Sequence, residues 1–176
     1  FANGMFNSKG DVLSSVKALE VKMKASGQID EQWVFGHCLN TNEGARSIYE
    51  VFRQRMGDQV SSYWRWLGNM EIAPDWFQSS VQTVAASFDA AESLIDADLR
   101  DHVQRYQGLL MEGNRVLVVA HSQGNLYANA AYSNLSAMGL PMNSFGIVSV
   151  ATPASRVAGG GPYFTLINDG SIIYID

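Results

Sequence analysis

The segment Val116-Leu117-Val118-Val119-Ala120-His121-Ser122-Gln123-Gly124-Asn125 holds the residues of this chain best arranged for nucleophilic chemistry. An apolar run of buried-strand length, Val116 to Ala120, leads into a short polar turn with Ser122 at its tip. A stretch rich in small residues follows, with Ala128, Ala130 and Ala131. A serine hydroxyl is a poor nucleophile until a base takes its proton and a fold presents it in one orientation. A sharp strand-to-helix turn does the presenting. It also demands small residues two before and two after the serine, because strand and helix close on each other there. Ala120 and Gly124 meet that demand, and with His121 they form the packing of the turn. The backbone N–H of Gln123, in the first turn of the helix, points to where negative charge would develop on an attacked carbonyl. An ordinary strand-to-helix turn also accommodates a serine. The two readings differ in the backbone of Ser122, for which the nucleophilic one requires a φ that is positive or close to it.

Other residue groups carry less chemistry. His37 and Cys38 are adjacent, and neighbours on a strand face opposite ways. Asp89, Glu92, Asp96, Asp98 and Asp101 read as a solvated helix face. No cluster has the spacing of metal ligands, and no cofactor is implied. His37, His102 and His121 are the only histidines. His37 ends a strand and reads as structural, while His102, between Asp101 and Arg105, reads as solvated.

The elements that must position the serine alternate in type. Phe1 to Met5 reads as the end of a strand. Ser8, with Asp11 as its capping-box partner, opens a helix that runs to about Ser26, with Val12, Val16, Leu19 and Met23 on one face. Gly27 stops it. Gln32 to Leu39 reads as a short strand and Glu43 to Met56 as a helix carrying Ile48, Val51, Phe52 and Arg55. Residues 57–78 are aromatic and read as irregular, with Tyr63, Trp64, Trp66, Trp76 and Phe77. A long helix is expected from Ser79 to Met111, broken near Asp96 or Gly108. Arg115 to Ala120 is the clearest strand. A helix from Gln123 to Met138, stopped by Gly139 and Pro141, leads to a strand from Ser144 to Ala151. Tyr163 to Ile167 reads as one more strand, and Ile172 to Ile175 as the start of a further element. Such alternation predicts an α/β domain with a mostly parallel sheet, helices on both faces, and residues 115–120 at its centre.

Composition bounds the partners. The chain has 176 residues, 47% hydrophobic and 16% charged, which suits one packed domain. A net charge of -5 and the lack of a basic cluster argue against a nucleic-acid partner. No apolar run approaches the roughly 18 residues of a transmembrane helix. Cys38 is the only cysteine, so no internal disulfide forms. That leans toward a reducing compartment without deciding it, since secreted bacterial enzymes also lack disulfides. The chain starts at Phe1 with no leader visible, so the compartment stays open between cytoplasmic and secreted.

The segment around Ser122 is similar to the nucleophile elbow of the α/β-hydrolase superfamily, and most resembles its bacterial esterase- and lipase-like members. Ala120 stands where the usual pattern has Gly, a form that some bacterial lipases share. The resemblance implies a serine hydrolase that cleaves carboxylic esters, small-molecule or lipid, through an acyl-enzyme on Ser122. It implies a second oxyanion donor after the strand Phe1 to Met5, by position Met5 or Phe6. It implies the order nucleophile, acid, histidine, which makes Asp169 the acid, with Asp176 as the alternative. All three histidines precede Asp169, so the expected base lies beyond Asp176, in a part not included in this sequence. The aromatic stretch 57–78 takes the place of a lid or cap. A catalytically silent binding protein on the same fold, favoured by the missing histidine, and an acyltransferase are the competing readings.

Overall fold

The computed structural model describes residues 1–3, 8–40, 49, 52, 54–56, 59–67, 71–89, 97–152, 154 and 156–164. These form a mixed α/β architecture around a parallel sheet. Helix α1 spans Lys9–Ala25. Three more helices follow: α2 (Val60–Leu67), α3 (Asp75–Asp89) and α4 (Ala97–Met111). Strand β1 (Val116–His121) leads through the Ser122 turn into α5 (Gly124–Ala137). Strands β2 (Phe145–Val150) and β3 (Tyr163–Phe164) complete the sheet in the order β1-β2-β3.

Every described pairing is parallel. β1 pairs with β2 in the register Val116↔Phe145 through His121↔Val150. β2 pairs with β3. On the other side of β1, Ala2 bridges to Ala120, and Ala2 also bridges to Cys38. β1 therefore lies between the N-terminal segment and β2, as expected of a central strand. The expected strand Gln32 to Leu39 is reduced to that single bridge at Cys38, with 33–37 in coil. Of the strand expected over Phe1 to Met5, Ala2 pairs, while Met5 lies outside the described residues, as do 165–167 and the element at Ile172 to Ile175.

Local signals explain the helix ends. Ser8 caps α1, its hydroxyl accepting from Asp11 N while the Asp11 carboxylate accepts from Ser8 N at 2.8 Å. Val12 is fully buried beneath α1, with Val16, Leu19 and Met23 half-buried on the same side. The aromatic stretch is not irregular: residues 60–67 are helical and α3 begins at Asp75. Of the helix expected over 79–111, with a break near Asp96 or Gly108, α3 runs to Asp89 and α4 starts at Ala97; residues 90–96 lie outside the described residues, and Gly108 lies inside α4. Of the helix expected over 43–56, the described residues 49, 52 and 54–56 are helical; Ile48 and Val51 lie outside the described residues.

Two apolar clusters hold these elements. The larger joins Leu99, Val103, Tyr106 and Leu110 of α4 to Val116 and Val118 of β1, to the alanines of α5, and to Phe145 and Ile147 of β2. All residues from Gly124 to Ala131 are buried, so the first two turns of α5 are enclosed on every side and show little amphipathic contrast. The smaller cluster is aromatic: Phe52, Tyr63 and Phe77 are buried together with Trp66 and Trp76 against them. Their rings meet edge to face, as at Phe52–Tyr63 with centroids 5.1 Å apart. Arg55 stacks over Trp76 at 5.1 Å. Among the described residues no helix is long and apolar enough to cross a membrane.

Candidate functional site

The turn after β1 is anchored on both sides. His121 N donates to Ala2 O at 3.0 Å, and Ser122 N donates to Val150 O at 3.0 Å. Between these bonds Ser122 adopts φ 50, the left-handed region that a non-glycine residue avoids at a cost of roughly 1–2 kcal/mol. The left-handed φ expected of a presented nucleophile is therefore present. Gly124 shows what the turn demands of its neighbours. A Cβ there would stand 2.8 Å from Ala2 C and from Asn3 O, and closer still to Ala2 O. The N-terminal segment and α5 thus touch backbone to backbone beside the serine, and only glycine fits. Ala120, fully buried, packs at the matching position on β1.

The site lies where the sheet order reverses. From Ala2 the chain pairs outward with Cys38 on one side, then returns to pair on the other side through β1, β2 and β3. In open parallel sheets such a reversal leaves a crevice at the carboxyl ends of the strands, where ligands bind. Ser122 is the first residue past the end of β1. Asn3 and Asn40 extend the segments on the far side of the reversal and are tied by two buried hydrogen bonds. Asn40 N donates to Asn3 Oδ1 at 2.9 Å, and Asn40 Nδ2 donates to Asn3 O at 2.5 Å.

Unpartnered polar atoms gather at this edge. Ser122 Oγ, both amide atoms of the Gln123 side chain, His121 Nε2 and Asn40 Oδ1 are buried with no hydrogen-bond partner among the described residues. Each such group costs about 1–3 kcal/mol unless something answers it. The backbone N–H of Gln123, at the start of α5, donates to no described residue either. Burial pushes the His121 imidazole down to about 4, so its ring is neutral near pH 7.

The three imidazoles lie apart from the serine hydroxyl in bonding terms: none hydrogen-bonds to Ser122 Oγ. His102 is not solvated, as its charged neighbours in sequence suggested. It is fully buried, packing edge-on to Tyr106 and against Tyr127, with its Nδ1 3.3 Å from Tyr106 OH. The residues three and four places away, Leu99 and Tyr106, face the same core, and that spacing was the available signal. His37 is partly exposed. Its carbonyl accepts from Arg105 Nη1 at 2.8 Å, and desolvation, with the Arg105 charge, holds its imidazole below the ordinary value. The Cys38 thiol is buried and pushed up by that burial, the opposite of an activated thiolate. Among the described residues no three His, Cys, Asp or Glu side chains come together as metal ligands would. Met5, Phe6, Asp169 and Asp176 lie outside the described residues, as do Glu92 and Asp96.

One residue with a direct role in the turn escapes sequence reasoning. Asn125, fully buried, donates through Nδ2 to Ser122 O at 2.8 Å and to Val150 O at 3.0 Å. A polar residue three places after the serine, within an apolar helix, was the signal. Comparison with known proteins adds no assignment: no family model matches this sequence, and neither a curated protein nor a solved structure matches it.

Proposed function

We propose that this protein is a serine hydrolase of α/β-hydrolase type that cleaves carboxylic esters through an acyl-enzyme on Ser122. The observation that carries the reading is the left-handed Ser122, held between a central parallel strand and a buried helix at the reversal of sheet order. In this reading α1 and the pair α4–α5 cover opposite faces of the sheet, because right-handed crossovers leave Ala2 and β1 in opposite directions.

Ser122 Oγ attacks the ester carbonyl, and its proton passes to a base. The tetrahedral oxyanion forms against Gln123 N–H, with Met5 or Phe6 N–H as the second donor. Collapse expels the alcohol, which takes the proton back from the base. Water then repeats the sequence and releases the acid. Asp169 is the proposed acid orienting the base. No cofactor enters this chemistry. The aromatic cluster around Phe52 and Trp76 is the proposed cap over the acyl chain.

The second reading is a hydrolase fold kept for binding without turnover. It is favoured by Ser122 Oγ, which hydrogen-bonds to none of His37, His102 and His121. Transfer of the acyl group to an acceptor other than water would follow the same first half-reaction. A fluorophosphonate probe separates enzyme from binder. The serine oxygen bonds to phosphorus, fluoride leaves, and the proton goes to the base. Peptide mapping should place the adduct on Ser122 and find none in Ser122→Ala. A protein that stays unlabelled, or is labelled elsewhere, is not the enzyme described here.

A further inference from the structure

We infer that Asn125 is the positioning residue of the oxyanion donor, acting through the peptide unit that joins Ser122 to Gln123; the inference rests on the hydrolase reading of Ser122. The Ser122 carbonyl and the Gln123 N–H belong to one planar trans peptide, so they point in opposite directions. Whatever fixes the carbonyl therefore aims the N–H. Two donors fix it: Asn125 Nδ2 at 2.8 Å and Asn125 N at 3.1 Å, both from the first turn of α5. No described residue takes the Gln123 N–H on the other side.

The carboxamide spans two strand ends. Its Nδ2 also donates to Val150 O, the acceptor of Ser122 N, so one oxygen at the end of β2 receives both the backbone and the staple of the turn. Two carbonyls at one end of the side chain identify that end as the NH2. The other end, Oδ1, is buried and takes no hydrogen bond from a described residue. An apolar side chain would avoid the burial of that oxygen, so packing alone does not account for the asparagine. Its contribution is the donated pair. Drawing density from the Ser122 carbonyl also polarises the same peptide and strengthens its N–H as a donor.

The test compares a carboxylic ester with its thionoester, whose sulfur accepts hydrogen bonds from N–H donors poorly. In both, Ser122 Oγ bonds to the acyl carbon and the aryl alcohol leaves. Only the anion facing Gln123 N–H differs. The ratio of kcat on the ester to kcat on the thionoester reads the oxyanion donor and is independent of the fraction of protein folded. Losing one oxyanion donor costs about 10²–10³ in kcat, and a misaimed donor costs part of that. Asn125→Ala should lower ester kcat by about 10- to 100-fold with KM little changed, and reduce the ester-to-thionoester ratio by about tenfold. Asn125→Ser, which keeps a shorter donor, should fall between, and it serves if Asn125→Ala does not fold. An unchanged ratio in the variant that folds would overturn the inference while leaving Ser122 as the nucleophile. A wild-type protein with no Ser122-dependent turnover would instead overturn the hydrolase reading itself.

Discussion

β1 and β2 lie side by side, and each is followed by a non-glycine residue in the left-handed region: Ser122 with φ 50 and Ala151 with φ 46. The two turns share an anchor, since Val150 O receives Ser122 N and Asn125 Nδ2, and Ala151 N donates to Phe164 O at 2.9 Å. They part company on the C-terminal side. After Ser122 the chain enters a buried helix whose second turn is still enclosed. After Ala151 it enters a loop, where Thr152 Oγ1 accepts from Ala154 N at 3.1 Å. Strain of about the same size therefore serves two ends. At Ala151 it turns the chain. At Ser122 it sits at the reversal of sheet order, beside a Gln123 N–H that donates to no described residue. A positive φ on its own does not distinguish the two turns; the enclosed helix and a Gln123 N–H that no described residue accepts do.

Turnover gives the sharpest contrast between the turns. Ser122→Ala should lower ester hydrolysis by on the order of 10⁴-fold or more, whereas Ala151→Gly leaves kcat unchanged. Comparable losses in both variants, measured with a p-nitrophenyl ester, would erase the distinction.

Stability comes next. The Cβ of Gly124→Ala meets the backbone of Ala2 and Asn3, which cannot step aside as a side chain can. Urea unfolding should show a loss of about 3 kcal/mol or more. A neutral result would mean that the N-terminal segment does not press on α5 as described.

The Ser122 turn should also be the acid-sensitive one. His121 is neutral in the fold, with its pKa lowered to about 4 by desolvation, against about 6.5 when unfolded. Between those values the unfolded chain binds the extra proton, so stability falls as pH falls through that window. From pH 7.5 to 5 the loss attributable to His121 is about 2 kcal/mol. His121→Asn should flatten that part of the profile, and an unaltered slope would assign the sensitivity elsewhere.

The smallest effect belongs to the other turn. Ala151→Gly relieves the left-handed strain but loosens the unfolded chain, for a net gain of about 0.5 kcal/mol. Calorimetry should find a slightly raised Tm. A fall would show that the Ala151 methyl packs usefully.

What the sequence determined by itself is what short-range physics controls. The capping box of Ser8 and Asp11 sets the start of α1, because both partners lie within one turn. The apolar run at 116–120 makes a strand, and the small residues at 120 and 124 bracket a turn in which Ser122 is left-handed. Gly139, with φ 75, and Pro141 end α5. Tertiary structure decided the rest. Gln32 to Leu39 carries strand-forming residues, yet only Cys38 finds a partner, since pairing depends on a neighbour that local propensity does not supply. Residues 60–67 became helical because their aromatic side chains had Phe52 and Phe77 to pack against. His102 is buried despite charged neighbours, because a helix sorts residues by face and not by adjacency. Asn125 is an ordinary polar residue until β2 brings Val150 O within 3.0 Å of it. A hydrogen bond between residues 25 apart exists only once the sheet has formed, so the clamp on the turn is a product of the fold.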